Sequence, residues 1–426
     1  MRFRKLLAAV ATAAVAFATG AQAQQLTVWH DLGDNGIRWF NELNEIYRRT
    51  HPNVTITSVS FPTDQWFGRS IAAINSNSAP DLLFNNYERV IRVMTQTNNR
   101  ILDLSPELAA AGDTSFITEA DRRIATYRGR MIIFPVQRVQ MAFGVRTSWL
   151  QRLNEQFPST WADVLRIGQK FRENPPAGGP VYGMALQAAN PRDLIHMLDL
   201  FIFGTGLQHT LINPEGRIVI AEPRHAEVLK EFIKAFTEYR LVSPETVNHS
   251  FTDMYRMILG GRAGMFRVGD WNVRGWDTGT AELNGDFTLG PWPAFRQGDQ
   301  NAVVIGGMRG VAVPENAPNR AAAIEFARFL LSREAQASSL NNLGAAVRSD
   351  IPMDGLSERR LFFANPRGRL VAYDFPESIH EFYPQLEAEY HRRLLAAIAS
   401  PPRDLDAFIR QTATELQAWV DQRRPR

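Results

Sequence analysis

Leu26-Thr-Val-Trp29 is a short β-prone run, and His30-Asp-Leu-Gly-Asp-Asn-Gly36 after it is a polar loop carrying glycines. From Ile37 to Thr50 the apolar residues Ile37, Phe40, Leu43 and Tyr47 recur near helical spacing, which predicts an amphipathic helix. His51-Pro52 stops it, because the residue before proline resists the α region. Asn53 to Phe61 reads as a second strand, Trp66 to Ser76 as a short helix, and Ala79-Pro80-Asp81-Leu-Leu-Phe84 as a turn feeding a third, buried strand. Strand, helix, strand, helix, strand predicts an α/β fold with a parallel sheet and right-handed crossovers.

Upstream of this unit, Arg2, Arg4 and Lys5 form a basic segment and Leu6 to Phe17 an apolar run. Ala21-Gln22-Ala23 is a small-x-small cleavage site, which predicts a secretory signal peptide over 1–23 and a mature chain from Gln24. The apolar run is too short to serve as a spanning anchor. With no cysteine anywhere, a lipid attachment point, disulfides and thiol chemistry are excluded. The expectation is export to a bacterial periplasm.

The signal also accounts for the net charge. The chain has 47 Lys+Arg against 44 Asp+Glu, and removing three basic residues leaves 44 of each sign. A neutral mature chain has no electrostatic footprint for nucleic acid or for an anionic membrane surface. About 400 residues exceed one hydrophobic core, so two lobes are expected.

Downstream, Met131-Ile-Ile-Phe134 reads as a strand broken by Pro135, with extended structure resuming at Met141-Ala-Phe-Gly-Val145. Thr160 and Asp163 look like an N-cap and its N3 partner. His225 to Arg240 has a helical apolar face, and Met254 to Phe266 reads as helix end, turn and strand. Ala302 to Ile305 and Val311-Ala-Val313 are apolar runs separated by a flexible Gly306-Gly307. Arg320 to Ser332 reads as a helix, and two more, about Pro384 to Ile398 and Asp404 to Gln422, close the chain.

There is no phosphate-binding Gly-x-x-x-x-Gly-Lys loop, no His-Glu-x-x-His and no Gly-x-Ser-x-Gly. The eight histidines lack metal-ligand spacing. The expectation is a protein that does no chemistry and needs no cofactor.

The order and spacing of several pieces resemble the solute-binding proteins of bacterial ATP-binding-cassette importers, in the sugar- and polyol-binding, maltose-binding-protein-like group. They are Leu26-Thr-Val-Trp-His30, His51-Pro-Asn-Val-Thr-Ile56, Ala79-Pro80-Asp81, Tyr127-Arg-Gly-Arg through Pro135, Pro158-Ser-Thr-Trp161, Gly260-Gly-Arg-Ala-Gly-Met265, Gly306-Gly307, and Ala321 to Gln336 leading to Gly344. Val145-Arg146 departs from a frequent Tyr-Asn pair, Ala346 or Val347 stands where proline is common, and Asp354 to Asp374 looks like an insertion.

The resemblance implies a two-lobed periplasmic-binding-protein fold with an interlobe ligand cleft. It implies an N-lobe from 24–134 and 305–350, a C-lobe from 135–304, and a C-terminal helical segment, 351–426, packed on the C-lobe. The crossings should fall near Phe134-Pro135 and Val304 to Gly306. The implied ligand is a carbohydrate or polyol, and the implied partner is an inner-membrane ABC permease; no nucleic acid is involved, and a monomer is expected.

A sugar presents an apolar ring face and a rim of hydroxyls, so aromatics and planar polar groups at strand ends are the candidates. After the first strand these are Asp31 and Asn35; ordinary turn chemistry is the alternative. Trp66 is a candidate stacking ring or a packing residue. Asn85, Asn86, Tyr87 and Glu88 follow the third strand. Gln137 and Arg138 flank the first crossing; Gly306, Met308 and Arg309 sit at the second. Trp271 follows the Gly269-Asp270 turn, where the family often has a stacking aromatic, and Arg348 and Tyr383 come later. Arg138, Arg309 and Arg348 would suit a sugar acid or glycerol phosphate ester, or else pair with internal acids. A sugar hydrolase is the rival reading, with Asp31 and Glu88 as its carboxylate pair.

Overall fold

The computed structural model describes residues 24–176, 178–277, 283–299, 301–364, 369–372 and 380–423. The expected signal peptide at 1–23 lies outside the described residues. The strands are β1 (Gln24–His30), β2 (Val54–Ser60), β3 (Leu82–Asn86), β4 (Thr126–Tyr127), β5 (Arg130–Met131), β6 (Phe134–Val145), β7 (Tyr182–Met184), β8 (Ala263–Gly269), β9 (Thr288–Gly290), β10 (Ala302–Ala312) and β11 (Arg369–Ala372).

The expected βαβαβ unit is present. β1 pairs in parallel with β2 on one side and β3 on the other, linked by the helices Gly33–Tyr47 and Thr63–Asn75. The first helix starts earlier than its apolar spacing suggests. The Gly33 N–H is taken by Ser60 Oγ at 2.9 Å, and Asp34 lies in the first turn, where the helix dipole favours an acid. Its inner face buries Trp39, Phe40, Leu43 and Tyr47.

A sheet ordered β2-β1-β3-β10-β6-β8-β7 runs through the molecule, with β11 on β10 and β9 on β6. Its two long strands change neighbours along their length. β6 pairs with β10 over Phe134–Val139, then with β8 over Met141–Val145. β10 pairs with β11 over Ala302–Ile305, and with β3 over Arg309–Ala312. A two-lobed α/β fold results, with β1, β2 and β3 on one side and β7 and β8 on the other.

Two expected interruptions are absent. Pro135 lies inside continuous β6, opposite Gly310, where the ladder with β10 shifts register between Arg309 and Gly310. Such an irregularity accommodates a residue that cannot donate to the ladder. A Cβ on Gly310 would sit 2.2 Å from the Phe134 carbonyl oxygen, so the strands approach closely there. Gly306 and Gly307 run within continuous β10 rather than forming a flexible break.

Other local expectations match. Thr160 and Asp163 cap the helix Trp161–Glu173 reciprocally. Arg128 and Gly129 both have positive φ in the β4–β5 hairpin, as a tight two-residue turn requires. Arg146, at a departure from the family pattern, is buried and donates through Nη2 to the Ile258 carbonyl at 2.6 Å. The terminal helices Tyr383–Ala399 and Leu405–Asp421 pack against Pro191–Gly204 and Pro223–Thr237, on the β7–β8 side. Ile409, Leu416 and Val420 are buried; Leu405 and Phe408 are half-buried. No described helix is long and apolar enough to cross a membrane.

Candidate functional site

The carboxyl ends of β1 and β3 and the crossing of β6 with β10 bring one polar cluster together. Asp31, whose side chain is 2% exposed, is ion-paired with Arg89 from the helix Tyr87–Gln96. Asn85, fully buried, accepts through Oδ1 from the Asn86 N–H at 2.8 Å. Asn86 donates from Nδ2 to Glu88 at 3.1 Å and accepts from Arg309 Nε at 2.7 Å. The last contact follows from register, since Arg309 stands opposite Asn86 in the β10–β3 pair and opposite Gln137 in the β10–β6 pair. Gln137 is buried and donates to the Leu343 carbonyl at 3.2 Å.

Two buried titratable groups flank this cluster. His30, at the end of β1, stacks on Phe40 and accepts the Leu32 N–H at Nδ1, 3.1 Å away. Burial pushes its pKa down to about 4, the Asp31 charge opposing and Arg309 assisting. Asp270 begins the helix Asp270–Asp277 directly after β8 and is 1% exposed. Burial pushes its carboxyl up to about 7, although the Gln140 N–H at 2.9 Å, the Arg309 charge and the Trp271 N–H favour the anion.

Directly after Asp270, on the β7–β8 side, comes Trp271, half-buried, its indole N–H donating to Tyr255 Oη at 3.1 Å. Near it lie Arg267 of β8 and Asp193 and His196 of the helix Pro191–Gly204. Asp193 accepts from Gln187 Nε2 at 3.0 Å and from Asn190. Burial raises its pKa, with Asn190, Arg267, His196 and Arg192 pulling it back. Glu387 of the terminal helix is buried and bridges Arg192 at 3.5 Å and Arg92 at 4.0 Å, tying the two sides together.

Several expected residues lie elsewhere. Trp66 is 0% exposed and donates its N–H to the Trp29 carbonyl at 3.2 Å; it is a core ring with no face turned outward. Asn35 is exposed on the first helix and pairs with Arg38. Met308 is fully buried among core side chains. Tyr383 and Tyr87 are buried, Tyr87 donating to the Thr126 carbonyl at 2.6 Å.

The three arginines expected at the cleft are occupied internally. Arg138 grips Asp121 through Nε at 2.8 Å and Nη2 at 2.6 Å. Arg348 grips Asp350 through the same two nitrogens at 2.7 and 2.8 Å, and covers the Phe116 ring. Arg309 is engaged by Asn86. The carboxylates of the rival hydrolase reading are held likewise: Asp31 by Arg89 and Glu88 by Asn86. Asp193 and Arg267 were missed. Arg267 had a legible signal, as the lone charge in the apolar run Ala263 to Gly269.

Two packed α/β halves that share two long crossing strands, with a polar seam where strand ends meet, define the class of two-lobed binding proteins. The chain belongs to the bacterial extracellular solute-binding protein family, whose model matches residues 33–337. Solved structures with the same fold include the GacH receptor of Streptomyces glaucescens, described unliganded and with acarbose, at 16% identity and TM-score 0.75, covering 94% of this chain and 99% of that one. A solute-binding protein of Thermotoga lettingae bound to α-D-tagatose aligns at 15% identity and TM-score 0.74, covering 93% and 100%. Maltose-bound MalE3 of T. maritima aligns at 15% identity and TM-score 0.71, covering 93% and 100%. A search of the curated proteins finds no match.

Proposed function

We propose that this chain is the periplasmic substrate-binding component of an ABC importer, capturing a carbohydrate or polyol between its lobes and delivering it to an inner-membrane permease. The observation that carries this reading is the polar seam itself. Asp31, Asn86 and Arg309 lie together on the β1–β3 side, and Trp271 and Asp193 lie on the β7–β8 side. Hydroxyls suit the first group and an apolar ring face suits Trp271. The matched structures bound to α-D-tagatose and to maltose support the ligand class.

The lobes divide at the partner exchanges of β6 and β10, with 24–134 and 305–350 forming one and 135–304 the other. The terminal helices then belong with the second lobe. A ligand that touches both lobes stabilises only the closed arrangement, so binding shifts the population toward it. The protein acts as a monomer and catalyses nothing. The signal at 1–23 directs export, and Gln24 begins the mature chain.

A thermal-shift screen of the mature chain against sugars, sugar alcohols, and their acids and phosphates tests the reading. Ligand at about a hundred times its dissociation constant stabilises the fold by roughly 2.7 kcal/mol. A clear shift with one carbohydrate or polyol is expected. A panel without any shift, for a chain that melts cooperatively, contradicts the assignment.

A further inference from the structure

Arg267 sits in the middle of β8, a strand whose seven residues are all buried, and is itself 2% exposed. Its guanidinium lies close to two rings, with Cζ 5.2 Å from the Phe251 centroid and 5.6 Å from that of Trp271. Nη1 reaches only the Met141 sulfur, at 3.7 Å, a weak acceptor. Nε and Nη2 have no hydrogen-bond partner among the described residues. Among the described residues no carboxylate lies within ion-pair distance of Arg267; Asp193 is near enough to feel its charge, but its carboxylate is held by Gln187 and Asn190.

Burying charged N–H groups without hydrogen-bond acceptors is costly, and a native fold ordinarily supplies them. The unmatched atoms here are specific. Nε and Nη2 form one edge of the guanidinium fork, the edge that takes two oxygens of a carboxylate or phosphate at once. Elsewhere in this protein that same edge is what Arg138 presents to Asp121, Arg348 to Asp350 and Arg392 to Glu389. Arg267 presents it, desolvated, beside Trp271.

We infer that the ligand carries an anionic group and that Arg267 receives it bidentately through Nε and Nη2. The inference rests on the carbohydrate reading and narrows it to sugar acids or to sugar and polyol phosphates. Trp271 covers the apolar face of the ligand. The rings of Phe251 and Trp271 hold the guanidinium plane, so little rotamer freedom is lost on binding. Arginine rather than lysine belongs here, because an ammonium presents a point charge in place of a fork.

The experiment is calorimetric titration of the mature chain with matched sets: hexoses, hexuronates and hexose 6-phosphates, and glycerol against glycerol 3-phosphate. The variants R267K and R267M are titrated alongside, and unliganded melting is measured for each. The tightest ligand is expected to be an acid or a phosphate, with its neutral counterpart at least tenfold weaker. The uronate and phosphate arms tell carboxylate from phosphate. R267K is expected to lose at least tenfold in affinity with unliganded melting unchanged. R267M is expected to lose more, and to melt no lower, since it removes a buried guanidinium whose N–H groups lack acceptors. Equal or tighter binding of a neutral member, or full affinity in a folded R267K, overturns the inference and leaves the carbohydrate reading standing. Binding by no member of the panel overturns both.

Discussion

Gly344 ends the helix Arg333–Leu343 with φ +89, and a Cβ placed on it would lie 2.3 Å from the carbonyl oxygen of Asp270. That helix packs on the first helix of the β1–β3 side, whereas Asp270 follows β8. A bare α-carbon therefore sits where the two lobes meet, next to the backbone of Asp270 and Trp271. Gly344→Ala is expected to fail twice, through a left-handed backbone unsuited to alanine and through a clash with main chain. The melting temperature should fall by several degrees and ligand affinity should fall with it. Gly275→Ala, in open space on the helix Asp270–Asp277, is the control and should leave both measurements nearly unchanged.

Two tryptophans should separate stability from binding. Trp66→Ala removes a fully buried ring and is expected to cost about 3–5 kcal/mol in denaturant unfolding. Trp271→Ala opens a half-buried ring at the seam and should cost less stability, but lower affinity at least tenfold. Equal affinity losses would contradict the placement of Trp66 in the core.

Asp31 is buried against Arg89. Arg89→Ala takes a charged partner from a buried carboxylate and is expected to destabilise by about 3 kcal/mol. Adding Asp31→Asn should restore part of that loss, and a double-mutant cycle of unfolding free energies measures how much. An additive double variant would mean that the pair contributes nothing.

His30 and Asp270 give opposite pH signatures. A histidine with its pKa lowered from 6.5 to about 4 binds its proton more readily when unfolded, so stability rises with pH across that window. A carboxyl raised from 3.8 to about 7 binds its proton more readily when folded, so stability falls with pH across that window. Each contributes a slope of at most about 1.4 kcal/mol per pH unit. Asp270→Asn should therefore make stability climb more steeply between pH 4 and 6.5. His30→Gln should make it fall, or climb less, over the same range. Unfolding free energies at several pH values check the signs, and identical slopes in the two variants would contradict them.

Much of the backbone was legible because it is written locally. The alternation from Leu26 to Phe84 and the capping pair Thr160 and Asp163 each rest on residues close in sequence. Pro135 misled because its missing N–H is absorbed opposite Gly310, a partner 175 positions away. Side-chain roles were harder for the same reason. Arg138 finds Asp121 through the approach of a helix to the crossing strands, and Trp66 turns inward under Trp29. Arg348 is the exception, since Asp350 two residues on was a readable partner. Arg267 inverts the lesson, because a single arginine within an apolar strand marks a buried charge from sequence alone.

The most direct test of the solute-binding account is small-angle X-ray scattering of the mature chain, with and without a saturating carbohydrate or polyol identified by thermal shift. The account predicts a smaller radius of gyration with ligand, as the lobes close around it. An unchanged radius at proven saturation would contradict capture by closure between the lobes.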